Sequence, residues 1–396
     1  MIRKSLIHLA MAVWVHTLAI VPLSAQDSLL RKNLQAHKYD FAATGDHRFA
    51  GAGWDSLVQE GQKAQYFLIG EIHGINEIPY LVNALAQQIS FETFVIEIDP
   101  YLNTILQAKI KTLNEQDLQK WYQEFGSNLS FYSYQQDFEL LKHLHRKGTT
   151  IMGIDQITAL NDVPVYAHLA AISPDKKRKQ QYLQMGNTAR EVYSGFLKDP
   201  KKAPYMLGPQ FQEAMDQLPS KGLSKEEKEI IEKLQYSRGI YTARDGHARR
   251  IRLMKQQLRQ QYEAKLASRK TLFRLGANHS LKGESYLTIY DVGNFVHNLA
   301  ESQLQSSFHV GVFATSGEAG NPIKGKPHTT VEPMKELALF HQLASPDKWT
   351  YFDLRPLKKL LDTGKVKVED TMMRRTIQGY DGLVIIPKAT AGEHSF

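Results

Sequence analysis

The 396-residue chain contains no cysteine. Disulfides, thiolate-held metals, cysteine nucleophiles and a lipid-modified N-terminal cysteine are therefore excluded. A Gly-x-Ser-x-Gly nucleophile turn and a phosphate-cradling Gly-x-x-x-x-Gly-Lys loop are also missing. No internal repeat of fixed period stands out, and past the N-terminus no apolar run reaches the length of a spanning helix. Neither charge sign dominates: 49 Lys and Arg face 41 Asp and Glu, a formal net charge of +8. The basic runs Lys176–Lys179, Lys201–Lys202 and Arg244–Arg259 sit among Glu and Gln on helical patterns. They read as solvated helix faces, so no nucleic-acid partner is expected.

The N-terminus departs from this plain composition. Arg3 and Lys4 precede an apolar stretch from Leu6 to Leu23, which ends in Leu23-Ser24-Ala25. A positive start, a short apolar segment and small residues at its exit are the marks of a cleaved secretory signal over residues 1–25. Cleavage is expected after Ala25, giving a periplasmic or secreted protein with no stable membrane insertion.

Strand-length apolar runs alternate with helical patterns along most of the remainder. Residues 26–64 read as a polar lead-in with one aromatic cluster around Tyr39–Phe41. Tyr66–Ile69 is the first strand, and after it Gly70 and Gly74 bracket Glu71 and His73. Ile78, Leu81, Val82, Leu85 and Ile89 recur at helical spacing, with Asn76 as the expected cap, and Thr93–Ile98 is the second strand. This is a βαβ unit. A helical excursion over Tyr101–Lys147 leads to a third strand, Thr149–Ile154. Long charged helical patterns fill residues 156–268. Strands resume at Thr271–Leu275 and Phe308–Ala314, and Tyr351–Leu354 and Leu383–Pro387 close the chain. The pattern implies an α/β fold: a largely parallel central sheet flanked by helices, with an all-helical subdomain inserted. Its core would comprise residues 65–155 and 269–396. The Gly- and Pro-rich Gly317–Pro333 reads as a long loop that could flank a site.

Four expected strand ends carry polar groups: Glu71 and His73, Glu97 and Asp99, Asp155, and Asn278 with His279. Open parallel sheets place their sites outside the carboxyl ends of the strands, so these groups should share one cleft. A histidine beside carboxylates suits general base catalysis, because the carboxylate fixes the tautomer and stabilises the imidazolium. Water is then the nucleophile. The same residue types could instead hold a divalent metal, and spacing alone leaves both open. Arg244 and His247 share a helical face with Ile251 and are candidates to enter the cleft.

At these residues the chain resembles the erythromycin esterase family. The resemblance rests on Gly70-Glu71-Ile72-His73-Gly74 with Glu77 following, Glu97 after the second strand, and Gly153-Ile154-Asp155 after the third. It continues with Arg244-Asp245 opening a helix, the Asn278-His279 turn, and Tyr380-Asp381 before the last strand. Two departures stand out. Ala277-Asn278-His279 keeps at most one histidine of the family's His-Asn-x-His turn, and Ala248 and Ile251 stand where the family carries Met and Asn. The Gly70 and His73 pattern is also similar to Tiki-type metalloproteases and haem-binding lipoproteins of the same fold. The first resemblance implies metal-independent hydrolysis of an ester in a small molecule, without a cofactor. His73 would be the base, Glu71 and Glu97 would orient it or the water, and Arg244 and His279 would stabilise developing charge. Asp155, Asn278 and His247 are the expected substrate contacts. A Tiki-like metal-dependent hydrolase using His73, Glu97 and His279, and a non-catalytic ligand-binding protein, are the alternatives.

Overall fold

The strands at the middle of the sheet are apolar on both faces, as required where helices cover both sides. The computed structural model describes residues 28–45, 48–199, 201–219 and 221–396. The expected signal segment lies outside them. In chain order the strands are Lys38–Thr44 (β1), Arg48–Ala50 (β2), Tyr66–Glu71 (β3), Thr93–Ile96 (β4), Thr150–Gly153 (β5) and Thr271–Gly276 (β6). They continue with Ser307–Ala314 (β7), Glu318–Ala319 (β8), Thr329–Thr330 (β9), Trp349–Asp353 (β10) and Gly382–Ile386 (β11). One sheet runs β2-β1-β10-β11-β7-β3-β6-β4-β5, while β8 pairs with β9. From β11 to β5 every neighbouring pair is parallel. The edge formed by β10, β1 and β2 is antiparallel. This is the mixed α/β fold, with a mostly parallel central sheet, that the alternating pattern implies.

Side-chain alternation along β3 builds two cores. Phe67 and Ile69 join Ile78, Leu81, Val82 and Leu85 of the helix Glu77–Gln88. Tyr66 and Leu68 face the other way, onto Met254 and Leu258 of the helix Gly246–Gln260. Each such aliphatic side chain contributes about 1.5–3 kcal/mol on burial. Among the described residues, the segment between β5 and β6 contains helices and turns but no strand. Its helix Gly246–Gln260 is part of the layer against the sheet, so its polar residues are held over the strand ends.

Three local expectations are corrected. Residues 26–64 are more than a lead-in: β1 and β2 extend the sheet, and Phe41, Phe49, Trp54 and Trp349 form an aromatic cluster beneath them. That cluster depends on the pairing of Phe41 with Trp349 across the chain, which no local pattern reveals. Asn76 does not cap its helix, because its amide instead donates to the Ala391 carbonyl at 2.7 Å. Gly317–Pro333 contains the β8–β9 hairpin and is not an unstructured loop.

Register sets the site. Glu71 pairs with Gly276 in the β3–β6 ladder, so these two strands end level. Ile96 of β4 pairs with Arg274 of β6 and with Gly153 of β5. Residues immediately beyond β3, β4, β5 and β6 therefore emerge side by side.

Candidate active site

β3 ends on the buried Glu71, and the chain turns two residues later. Gly74 makes that turn with φ +81°, a conformation other residues rarely adopt. Its carbonyl accepts hydrogen bonds from the Gly320 and Gly392 amides, both at 2.7 Å. Between them His73 places Nδ1 2.9 Å from Glu71 Oε1. A carboxylate can only accept, so the hydrogen lies on Nδ1 and Nε2 carries the free lone pair. The imidazole faces a cavity and keeps 44 % of its side-chain exposure. Enclosure disfavours its charge, but the hydrogen bond to Glu71 and the fields of Glu97 and Glu71 outweigh that and raise its pKa.

Glu97 follows β4 and is held on three sides. Its Oε2 accepts the Gly276 N–H at 2.7 Å, and its Oε1 accepts Arg250 Nη2 at 2.6 Å. His279 Nε2 stands 3.5 Å from Oε1, and His73 Nε2 stands 3.9 Å from Oε2. Burial would raise the Glu97 pKa, but the charges of His279, Arg250 and His73 with the Gly276 amide hold it well below the ordinary range. His279 in turn sets Nδ1 3.0 Å from Asp291 Oδ2. Burial opposes its charge, Glu97 and Asp291 favour it, and the result is a raised pKa. Glu97 thus lies between two histidine–carboxylate pairs, Glu71–His73 and His279–Asp291.

The strand-end residues therefore converge, but several differ in placement from the sequence reading. Arg244 is exposed, in the turn ahead of the helix Gly246–Gln260. The guanidinium at the carboxylates belongs to Arg250, one helical face further on. Asp155 is buried and already occupied: Arg250 Nε and the Gln156 amide donate to Oδ1 at 2.8 and 2.7 Å, and Arg250 Nη2 reaches Oδ2 at 2.5 Å. It is an anchor for Arg250 and does not line the cavity. His247 is half-buried with its ring 5.8 Å from that of His279, and its Nε2 has no hydrogen-bond partner. Burial, then the neighbouring His279, lowers its pKa. Asn278 lies in the short turn Ala277–His279, and neither it nor His247 lines the cavity. Asp99 caps the helix Pro100–Thr112 by accepting the Tyr101 and Leu102 amides at 3.0 and 2.8 Å.

Three residues that sequence reasoning passed over belong to the cluster. Arg250, Met254 and Leu258 lie four apart, so the apolar stripe of that helix already marked Arg250 as facing inward. Arg274 interrupts an otherwise apolar strand, Thr271–Gly276, and donates from Nε to Glu71 Oε2 at 2.6 Å. Asp291 gave no signal beyond its position before the helix Val292–Ser302, which it caps.

The cavity above His73 has a volume of about 750 Å³. Its walls are mainly apolar and aromatic, with Phe131, Tyr134, Tyr193, Tyr241 and Val331 among them. The β8–β9 hairpin supplies one wall through Ala319 and Thr330. The Phe131 ring lies 4.7 Å from the His73 ring. Glu97 and His279 are buried behind His73 and do not reach this space. Among the described residues no three His, Asp or Glu side chains are grouped as ligands for a metal ion. The Arg250 guanidinium occupies the position between Glu97 and Asp155 where a cation would balance their charge.

Neither a family model nor a curated protein matches this chain. Solved structures do. A protein from Bacillus cereus aligns at TM-score 0.54 and 15 % identity, over 93 % of this chain and 99 % of the other. A succinoglycan biosynthesis protein aligns at TM-score 0.55 and 16 % identity, over 93 % and 99 % of the two chains. A histidine-to-asparagine mutant of the erythromycin esterase EreC, in its open conformation, aligns at TM-score 0.50 and 14 % identity, over 86 % and 94 %. The relation to erythromycin esterase is thereby one of fold.

Proposed function

We propose that this protein is a hydrolase in which His73 activates water to cleave an ester or related acyl bond of a small molecule. One observation carries the reading: a histidine whose Nδ1 is held by a buried carboxylate, which leaves Nε2 free, lines a large apolar cavity. Water beside Nε2 loses a proton to His73 as its oxygen attacks the acyl carbon. Glu71 stabilises the imidazolium that results. When the tetrahedral intermediate collapses, the carbon–oxygen bond to the leaving group breaks and His73 returns the proton to the departing alkoxide. The products are a carboxylic acid and an alcohol.

Glu97 has the geometry to orient that water. Its Oε2 stands 3.9 Å from His73 Nε2, too far for a direct hydrogen bond and close enough for one water to touch both. Arg250, His279 and the Gly276 amide keep Glu97 ionised and fixed, so they are positioning residues and not charge stabilisers at the substrate. The apolar walls favour a substrate with little charge. We also propose export of the protein through residues 1–25.

The test is a panel of neutral esters with wild type and His73→Ala, each shown to be folded by circular dichroism. A positioned base is worth about 10²–10⁴ in rate, and a loss of that order is expected. Full activity in folded His73→Ala would reject the mechanism.

A further inference from the structure

Arg274 lies within the central strand β6 and is 2 % exposed. A guanidinium in such a place is tolerated only when paired, since its desolvation costs several kcal/mol. Two carboxylates meet it. Nε donates to Glu71 Oε2 at 2.6 Å, and Nη1 donates to Asp137 Oδ1 on the helix Gln135–Arg146. Glu71 gives its other oxygen to His73 Nδ1. Four side chains from β3, β6, the turn after β3 and a helix thus form one buried line that ends at the cavity.

We infer that Asp137 and Arg274 are positioning residues for His73, which through Glu71 hold the imidazole in place and set its affinity for a proton. This rests on the reading of His73 as the base. The charges explain the effect. With neutral imidazole, Asp137, Arg274 and Glu71 carry one net negative charge. When His73 takes a proton the line becomes neutral, which favours the imidazolium that the reaction forms. Without Asp137 the same protonation would leave a buried positive charge. Without Arg274, burial would drive Glu71 toward its protonated form, which can no longer hold the Nδ1 hydrogen as strongly.

The surroundings agree. Glu97 faces His73 from the end of β4 and is itself paired with Arg250 and His279, while the Arg274 charge on its own opposes protonation of His73. Tyr132 faces Arg274 and Asp137 with a buried hydroxyl that has no hydrogen-bond partner. The Phe131 ring neighbours both His73 and Arg274, its centre 6.0 Å from the guanidinium carbon. Burial, opposed by Arg274 and reinforced by Glu71, pushes Asp137 up to about 6.

The decisive variant is Asp137→Asn, which keeps the shape and an acceptor oxygen but removes the charge. The His73 imidazole is titrated by NMR in the free protein, its resonance identified by its absence from His73→Ala. A fall of about one unit in the His73 pKa is expected, the size ordinarily produced by removing a nearby opposite charge. In turnover, kcat should fall about tenfold with KM unchanged, and the acid limb of the pH–rate profile should move to lower pH. A role confined to packing would lower thermal stability and leave the His73 titration and the acid limb unchanged, and that result would overturn the inference. Should Asp137→Asn fail to fold, Asp137→Ala carries the test in the same way, with the same fall in the His73 pKa expected and an unchanged titration overturning the inference. The titration needs no substrate, so it stands apart from the ester panel: activity retained in His73→Ala would reject the hydrolase reading and leave the coupling measurement intact.

Discussion

Arg250 Nη2 lies 2.6 Å from Glu97 Oε1, although 153 residues separate them. The same guanidinium also reaches Asp155, so a single side chain ties the ends of β4 and β5 to the helix that covers the sheet. Both carboxylates are buried, and Arg250 is the charge they share.

Removal of Arg250 should therefore be costly in a way that removal of its exposed neighbour is not. Arg250→Met removes the guanidinium that two buried carboxylates share and leaves Asp155 with only backbone and Glu97 with backbone and histidine contacts, and the loss should be about 3 kcal/mol in urea unfolding. Arg244→Ala should change stability by less than about 0.5 kcal/mol and leave turnover unchanged. Equal effects of the two variants would show that Arg250 does not anchor these strand ends.

Gly276 packs directly against the His73 ring. A Cβ there would lie 2.9 Å from His73 Nε2 and 3.4 Å from Glu97 Oε2, in the space assigned to the attacking water. Its φ is −54°, so the backbone accepts alanine without strain. Gly276→Ala forces either the His73 ring or the water to give way and should lose at least about 100-fold in hydrolysis, the scale of a displaced base. Unchanged turnover would place the water elsewhere.

Glu77 and His73 should separate cleanly. Both Glu77 oxygens accept the Thr390 amide at 3.0 Å, and Oε1 also accepts the Thr390 hydroxyl at 2.8 Å. Glu77→Ala should cost about 2 kcal/mol, as expected for lost hydrogen bonds to a charged acceptor, while keeping most activity. His73→Ala should do the reverse. Calorimetry and ester turnover on both proteins check the pair.

Stability at neutral pH should respond to Asp99. Burial, reinforced by nearby Asp155 and opposed by the cap amides, pushes its pKa up to about 7. The unfolded carboxyl titrates near its ordinary value of about 3.9, so the folded state binds an extra proton between roughly pH 4 and 7. Stability from this group is thus present at low pH and lost as pH rises through the folded pKa. Asp99→Asn keeps the cap and removes the charge, since Asn caps about as well as Asp. The variant should exceed wild type in urea midpoint at pH 8, and the advantage should shrink at pH 5. A midpoint below wild type at pH 8 would contradict it.

Glu71, His73 and Glu97 were legible because each follows an apolar run whose length and periodicity announce a parallel strand. Arg250 stands on the stripe that Met254 and Leu258 extend, whereas the resemblance points to Arg244, six residues earlier. Arg274 differs: a lone charge inside an apolar strand has no local meaning until two carboxylates from elsewhere surround it.

The alternation of strands and helices is local chemistry, written in hydrophobic period and in Gly74, and it determined the α/β class and the edge on which the polar groups emerge. Pairing across the chain decided the rest. The β1–β10 contact, the Asp291 partner of His279 and the line from Asp137 to His73 join residues whose neighbours in sequence say nothing of one another. Hydrophobic patterning acts over one or two turns of backbone. Charge pairing in a buried site acts over a few ångströms of space, and only the folded chain sets which residues those are.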